Sequence, residues 1–307
     1  MNGFTELIRM RTGKGITEIV RLLGNNFLVR GNDGGLTLQD SLGDFVVYPN
    51  GASVRASTFK LLLWCINKRL KQGGSRSISI SVDDYARLAG RTTDTKASRD
   101  NVRKSLRADV VALYQFGFDF YEARLHRRNI DRVEMRILDK LSTSITGGKI
   151  ELHFAQSFIE YLDKHGIGCE MPRAIFDIPN NQPAALQIFV KLWEIARQLS
   201  NQRKGRDDFI SFESLLKWTT AIPSFDTVSE TDRAYSRRIM KPFASAMDTL
   251  VNYGVISSWH FMDKETKEPV KLSSVDYSKA MQCHVVFHGM NLKESLKSGS
   301  SKQQDHV

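Results

Sequence analysis

Cysteine is scarce in this sequence, and its spacing excludes the sites that cysteine usually builds. The chain has 307 residues and three cysteines, Cys65, Cys169 and Cys283. An odd number of distant cysteines, with no CxxC or Cys/His ligand spacing, argues against a disulfide framework and against a structural zinc site. We expect three reduced thiols in an intracellular protein.

Long apolar runs are also missing. No run approaches the ~20 apolar residues that a membrane-spanning helix needs. The opening residues, MNGFTELIRMRTGKG, lack the continuous apolar core of a signal peptide. We therefore expect a soluble protein without a membrane partner.

The motifs of common catalytic and cofactor sites are absent. The sequence contains no Walker A or GxGxxG loop, no GxSxG elbow and no HExxH, and the TGKG at Thr12–Gly15 is too short for a P-loop. His284 and His288 lie in a strand-like stretch, where a spacing of four residues separates them by about 13 Å, too far to share a metal ion. We expect no cofactor, no metal and no enzymatic activity.

Acidic residues are too few to balance the basic ones. The chain carries 44 Lys and Arg against 34 Asp and Glu, a net charge of +10. This surplus suits a polyanionic partner, although ribosomal, DNA-binding and membrane-surface proteins all share it.

Two segments repeat one order of predicted elements. The first runs from the apolar helix STFKLLLWCINKRLKQ through the strand SISISV and the short helix VDDYARLAG to a long basic helix. The second runs from PAALQIFVKLWEIARQL through FISFESLLKWTT to the basic helix SETDRAYSRRIMKPFASAMDTLVNYG and the strand VISSWHF. Both opening helices carry Trp, Ile and Leu at the same offsets, in WCINKRL and WEIARQL. The pattern predicts an internal duplication, with Trp64 and Trp193 in the core and Trp259 facing either the core or a wing.

The repeated order is that of a helix-turn-helix followed by a β-hairpin. It predicts an α+β chain with two tandem winged-helix domains, in which the second helix of each enters the major groove of DNA. We place an N-terminal extension of unknown role at 1–50, winged-helix domain 1 (DNA contact or dimerisation) at 51–178, winged-helix domain 2 (main DNA-binding domain) at 179–290, and a disordered tail at 291–307.

The second basic helix has its charges in its first half. Ile239, Phe243, Ala246, Met247 and Leu250 form its apolar stripe. Its candidate DNA-binding residues include a row away from the stripe at i, i+4 and i+8, formed by Arg233, Arg237 and Lys241. Arg238, elsewhere on the exposed side, is the fourth candidate. The alternative is an ordinary solvated face.

Pro242 interrupts this helix beside the basic residues. Because the apolar stripe keeps its phase across it, Pro242 either kinks the helix and frees the carbonyl of Arg238, or begins a new helix. We expect it to set the angle at which the arginines meet DNA.

The first basic helix and the turn after it supply further candidates. On the helix these are Lys96, Arg99, Arg103, Lys104 and Arg107. Asp94, Asp100 and Asp109 dilute this positive field, and the helix has the alternative role of bracing the domain or a dimer. Arg127 and Arg128, in the segment Arg124–Arg132, occupy the predicted turn of the first wing, for which a solvated loop is the alternative. A hairpin at Val133–Phe154 is predicted to extend the sheet of this domain.

The two repeated segments, over about Ala56–His288, resemble the iteron-binding plasmid replication initiators, the RepA/RepE-like group. The resemblance lies in the sequence of elements quoted above and in YSRRIMKPFASAMDTLVNYGVISSW of the second segment. It implies that the second domain makes the main contacts with direct repeats at an origin, through Arg233, Arg237, Arg238 and Lys241. Residues 1–50 and the long hairpin of the first domain depart from the family pattern.

The same resemblance implies the partners and the regulation. Monomers would initiate replication on double-stranded DNA in the bacterial cytoplasm, dimers would repress the protein's own gene, and the host replication initiator and helicase would be recruited. A winged-helix transcriptional regulator and a plasmid-partition adaptor remain alternatives on this fold. A rolling-circle nickase is a more remote one.

Overall fold

The chain divides into two compact units. The computed structural model describes residues 7–12, 21, 36–40, 43–48, 54–121, 132–143, 148–165, 167–200, 208–228, 232–271 and 275–290. The first unit comprises Arg9–Cys169 with Pro179–Asn181, and the second comprises Met1–Ile8, Glu170–Ile178 and Gln182–Val307. Among the described residues, no helix has both the length and the apolar character needed to cross a membrane.

The elements up to Phe176 follow in chain order. They are β1 (Leu7–Thr12), β2 (Leu36–Asp40), β3 (Gly43–Tyr48), α1 (Ala56–Lys71), β4 (Ser77–Ser81), α2 (Val82–Leu88), α3 (Lys96–Gln115), β5 (Gly117–Tyr121), β6 (Arg132–Arg136), β7 (Leu138–Thr143), β8 (Lys149–Phe154), α4 (Gln156–His165) and β9 (Ile167–Pro172). A 3₁₀ turn at Arg173–Phe176 follows. Strands β1 and β9 form a two-stranded sheet.

Helices α1, α2 and α3 with the sheet β4-β8-β7 make the first winged helix. Strand β4, which precedes the helix-turn-helix, pairs antiparallel with β8, and β8 pairs with β7. Ser81 caps α2 and Thr95 caps α3, each by accepting a hydrogen bond from the backbone N–H of the residue three positions on. These bonds define where the two helices begin. Helix α1 is buried along most of its length.

The first wing differs from its predicted position. The sequence places its turn in Arg124–Arg132, but β5 and β6 belong to a separate four-stranded sheet of order β2-β3-β5-β6. The hairpin that pairs with the strand of the helix-turn-helix is β7–β8. Strand alternation alone cannot distinguish the two hairpins, because partner choice depends on contacts distant in sequence. Strands β2 and β3 come from residues 1–50, the N-terminal extension of unknown role.

The second unit repeats the plan. Its elements are α5 (Pro183–Ser200), β10 (Asp208–Ser211), α6 (Phe212–Trp218), a 3₁₀ turn (Phe225–Thr227), α7 (Asp232–Tyr235), a π-turn (Ser236–Met240), α8 (Lys241–Asn252), β11 (Ser258–Asp263), β12 (Pro269–Val270), α9 (Tyr277–Met281) and β13 (Cys283–His288). Its sheet has the order β10-β13-β11-β12, so the strand before α6 again pairs with the last strand of the unit. The predicted α+β chain with two tandem winged helices is confirmed.

The two opening helices differ in how they use their tryptophans. Trp193 is fully buried and its indole N–H donates to the carbonyl of Glu170 at 2.8 Å, as a core residue should. Trp64 is only half-buried, and the ammonium of Lys68 lies 4.6 Å from its ring centroid. The prediction of a core position is therefore confirmed for Trp193 and holds only in part for Trp64.

Candidate nucleic-acid interface

The second basic segment, α7 through α8, is held by an aromatic core. Its buried face consists of Tyr235, Ile239, Met240, Phe243, Ala246, Met247 and Leu250. The ring of Phe243 lies 4.6 Å from that of Phe212 in α6 and 5.5 Å from that of Trp259 in β11. Trp259 thus faces the core and joins the second helix of the helix-turn-helix to the sheet. Large aromatic contacts of this kind fix the orientation of a helix more firmly than small side chains do.

The opposite face of the same segment is basic. Arg233, Arg237, Arg238 and Lys241 are all exposed. Within the described residues none of them makes an ion pair or a side-chain hydrogen bond. Their charges are therefore not neutralised by the described residues.

A π-turn lies in the middle of this segment. The N–H of Lys241 donates to the carbonyl of Ser236, five residues back, and Pro242 follows as one of the first residues of α8. Because proline has no N–H, the usual bond to the carbonyl of Arg238 cannot form. The structure therefore combines the two alternatives derived from the sequence: the helical segment continues, but it does so through an enlarged turn. Such turns are rare and occur often at functional sites.

The second half of the segment carries a single charge, and that charge is engaged. The indole N–H of Trp259 donates to Asp248 Oδ1 at 3.1 Å. The carboxylate is thereby tied to β11. The basic half and the apolar half of the segment are separated at Pro242.

The basic helix of the first unit is only partly free. Arg99 pairs with Asp83 at 3.2 Å and Arg103 pairs with Asp100 at 2.9 Å. The candidates without such a partner among the described residues are Lys96, Lys104 and Arg107, all exposed. At about 100° per residue, Lys96, Arg103 and Arg107 lie within about 40° of one line along the helix. Among the described residues, this face therefore carries fewer unpaired cations than the basic face of the second unit.

Asp109 does not dilute the positive charge of this helix, because it is not on the surface. Its side chain is fully buried. Oδ1 accepts from Arg55 Nε at 2.9 Å, from Arg55 Nη2 at 2.6 Å and from Thr58 Oγ1 at 2.6 Å, while Oδ2 accepts from the hydroxyl of Tyr85. Burial, followed by the nearby charge of Asp109, raises the pKa of Tyr85. One carboxylate thus joins the start of α1, helix α2 and helix α3.

The second wing turn is organised by Asp263. Its Oδ1 accepts the N–H of Glu265 at 2.7 Å and that of Thr266 at 3.0 Å, and its Oδ2 accepts from the ammonium of Lys279. The bond from Lys279 and the two backbone bonds lower the pKa of Asp263 to about 2. The ammonium groups of Lys264 and Lys267 donate to carbonyls of Met281 and Lys264. Lys264, Lys267 and Lys279 therefore stabilise the fold of the wing through hydrogen bonds.

Other candidates are placed as follows. Arg127 and Arg128 lie outside the described residues. His284 and His288 are on β13, as their strand-like context predicts. The described parts of the chain contain no group of three or more His, Cys, Asp or Glu residues able to hold a metal ion. Cys65, Cys169 and Cys283 form no disulfide, and Cys65 and Cys283 are buried.

No protein-family model matches the chain, and no curated protein matches it. Solved structures do resemble it. A crystal structure of domains 2 and 3 of RctB shares 11% identity and a TM-score of 0.47, covering 90% of this chain and 99% of that one. The Pi initiator protein in complex with iteron DNA shares 13% identity and a TM-score of 0.45, covering 93% and 98%. The WH1 domain of MSBI1.176, a replication protein isolated from a multiple sclerosis patient, shares 13% identity and a TM-score of 0.27, covering 36% and 79%.

Proposed function

We propose that this protein binds double-stranded DNA in a sequence-specific manner and initiates replication of a plasmid by binding repeated origin sequences. The observation that carries the proposal is the basic face of Arg233, Arg237, Arg238 and Lys241. It lies on the second helix of a helix-turn-helix, the element that enters the major groove in this architecture. The resemblance of the repeated segments to iteron-binding initiators supports the origin as the target.

The chemistry of the basic face suits both parts of a DNA site. A guanidinium can donate two parallel hydrogen bonds to guanine O6 and N7, and it can equally bind a phosphate. The single point charge of Lys241 fits a phosphate. In the first unit, Lys96, Lys104 and Arg107 provide a second, weaker contact with the backbone.

The protein acts in this proposal by binding alone. Monomers occupy the origin repeats, and dimers repress the protein's own gene. The host initiator and helicase are then recruited to the origin. Incubation of supercoiled origin DNA with the protein and Mg²⁺ or Mn²⁺ should leave it covalently closed, whereas a nick refutes a purely binding role.

Footprinting of the DNA that flanks the gene, at two salt concentrations, tests the target. Spaced, repeated protection is the expected result. A single protected palindrome would instead identify a transcriptional regulator. Protection should weaken steeply with salt, since each neutralised phosphate contributes about −0.9 to the slope of log K against log[salt].

The double variant Arg237→Ala, Arg238→Ala tests the basic face. Both side chains are exposed and unpaired within the described residues, so the variant should fold and melt like the parent but lose specific binding. The salt slope should fall in magnitude by up to about 1.8, which is two contacts at about 0.9 each. Lys217→Ala is the control, since it removes a charge from α6 whose ammonium is already held by Glu213 at 2.7 Å. Binding by the double variant at the level of the control would refute the assignment.

A further inference from the structure

The π-turn changes which way the residues before it face. A π-turn takes up one more residue than an α-turn, so the helical phase before it is counted with one residue left out. Without the π-turn, at about 100° per residue, Arg233 and Tyr235 would each lie about 80° from Phe243, on opposite flanks of the buried stripe. With it, Tyr235 lies about 20° from Phe243 and Arg233 about 180° away.

The burial of Tyr235 and Arg233 agrees with the angles that include the π-turn. Tyr235 is 2% exposed, as a residue at the centre of the stripe should be, whereas Arg233 is exposed. With the π-turn, Arg233 lies about 180° and Lys241 about 160° from Phe243, both on the side away from the core. A regular helix of the same sequence would leave Arg233 at the flank, beside the core.

Two residues hold the π-turn in place. Tyr235 packs among aromatic rings, with centroids 6.3 Å from Phe225 and 6.0 Å from Tyr277. Regular α-helical geometry would withdraw the Tyr235 ring from this cluster. Pro242 removes the N–H that regular geometry would use to bond the carbonyl of Arg238. One residue therefore stabilises the π-turn and the other destabilises its α-helical competitor.

We propose that Tyr235 and Pro242 are positioning residues for DNA recognition, because the π-turn that they maintain rotates Arg233 onto the same face as Arg237, Arg238 and Lys241. Neither residue contacts DNA in this proposal. Arg233 binds the DNA backbone as a fourth contact, beside the three at or beyond the π-turn. The inference rests on the proposed function, since it assigns a partner to Arg233 only if the basic face binds DNA.

A comparison of two backgrounds tests the proposal. The relaxed background carries Tyr235→Ser and Pro242→Ala, which remove the buried ring and restore the missing N–H. In the parent, Arg233→Ala should reduce the salt slope by about 0.9. In the relaxed background, the same substitution should leave the slope unchanged, because Arg233 has already turned away from the DNA.

Lys241→Ala is the matched control. Lys241 lies at the end of the π-turn that stays fixed to the core, so its removal should reduce the slope by about 0.9 in both backgrounds. An equal effect of Arg233→Ala in the two backgrounds, or no effect in either, overturns the proposal. If Arg237→Ala, Arg238→Ala and Lys241→Ala also leave binding unchanged, the proposed function itself has failed.

Deletion of Ser236 gives an independent test that keeps the aromatic anchor, should the relaxed variant not fold. The deletion removes the extra residue, so the segment can become a regular helix with Arg233 still about 180° from Phe243. Arg233→Ala in the deletion variant should therefore still reduce the salt slope by about 0.9. If Arg233→Ala has no effect there while Lys241→Ala retains its effect, the phase argument is wrong.

Discussion

Replacement of Asp109 by alanine should loosen the whole helix-turn-helix of the first unit. The carboxylate is fully buried and serves three side chains, of Arg55, Thr58 and Tyr85. Alanine leaves the hydroxyls of Thr58 and Tyr85 in the interior without this acceptor. Each stranded group costs about 1–3 kcal/mol.

The arginine adds less than the hydroxyls to this cost. The Arg55 side chain is 42% exposed, so its guanidinium can return to water when its partner is lost. We therefore expect Asp109→Ala to lower the free energy of unfolding of the first unit by about 2–6 kcal/mol, which is the sum for the two hydroxyls.

Urea unfolding followed by amide hydrogen exchange can assign the loss to a unit. Peptides from α1, α2 and α3 should lose protection, while those from α5 and α8 should keep it. Asp100→Asn is the control on the same helix, because Asp100 only pairs with Arg103 at the surface and should cost about 0.5 kcal/mol or less. A loss below about 1 kcal/mol for Asp109→Ala, or one spread evenly over both units, would show that this carboxylate does not hold the helices together.

Three further substitutions follow from the second unit. Tyr235→Phe should keep or raise the melting temperature, because the buried hydroxyl has no hydrogen-bond partner among the described residues; a loss of more than about 1 kcal/mol would reveal one. Gly289→Ala should lower the free energy of unfolding in urea more than Gly254→Ala does. Both glycines have a positive φ, but only at Gly289 would a Cβ meet Ser257, at 2.6–2.9 Å. Equal losses at the two positions would count against this close contact. Asp263 has a lowered pKa, so its stabilisation of the wing is complete above about pH 4 and is lost as the pH falls towards 2. Asp263→Asn should abolish this pH dependence in hydrogen exchange of the wing, and an unchanged profile would assign it to other groups.

The repeated order of elements could be predicted from the sequence because each element depends on local signals. The apolar stripe of the second basic helix, for example, follows helical spacing. The candidate cations of that helix are likewise exposed, as their spacing indicates, although their contact with DNA stays a prediction.

The polar interior and the choice of strand partners could not be predicted. Asp109 looks like any aspartate on a basic helix, and only the folded chain brings Arg55 and Tyr85 to it. Asp263 accepts hydrogen bonds from the backbone of the wing turn and from Lys279, and both contacts depend on the folded wing. The first wing is displaced from β5–β6 to β7–β8 because β5 finds its partner in β3, about 70 residues earlier in the chain.

The enlarged turn ahead of Pro242 also affects how this helix should be compared with other recognition helices. A regular helix aligned to it without gaps would agree from Pro242 onwards and be out of step by one position before it. Base or phosphate contacts transferred by such an alignment would fall on the neighbours of Arg233 instead of on Arg233 itself. A single gap placed within Ser236–Met240 restores the correspondence, so the geometry of one turn decides which residue inherits a contact.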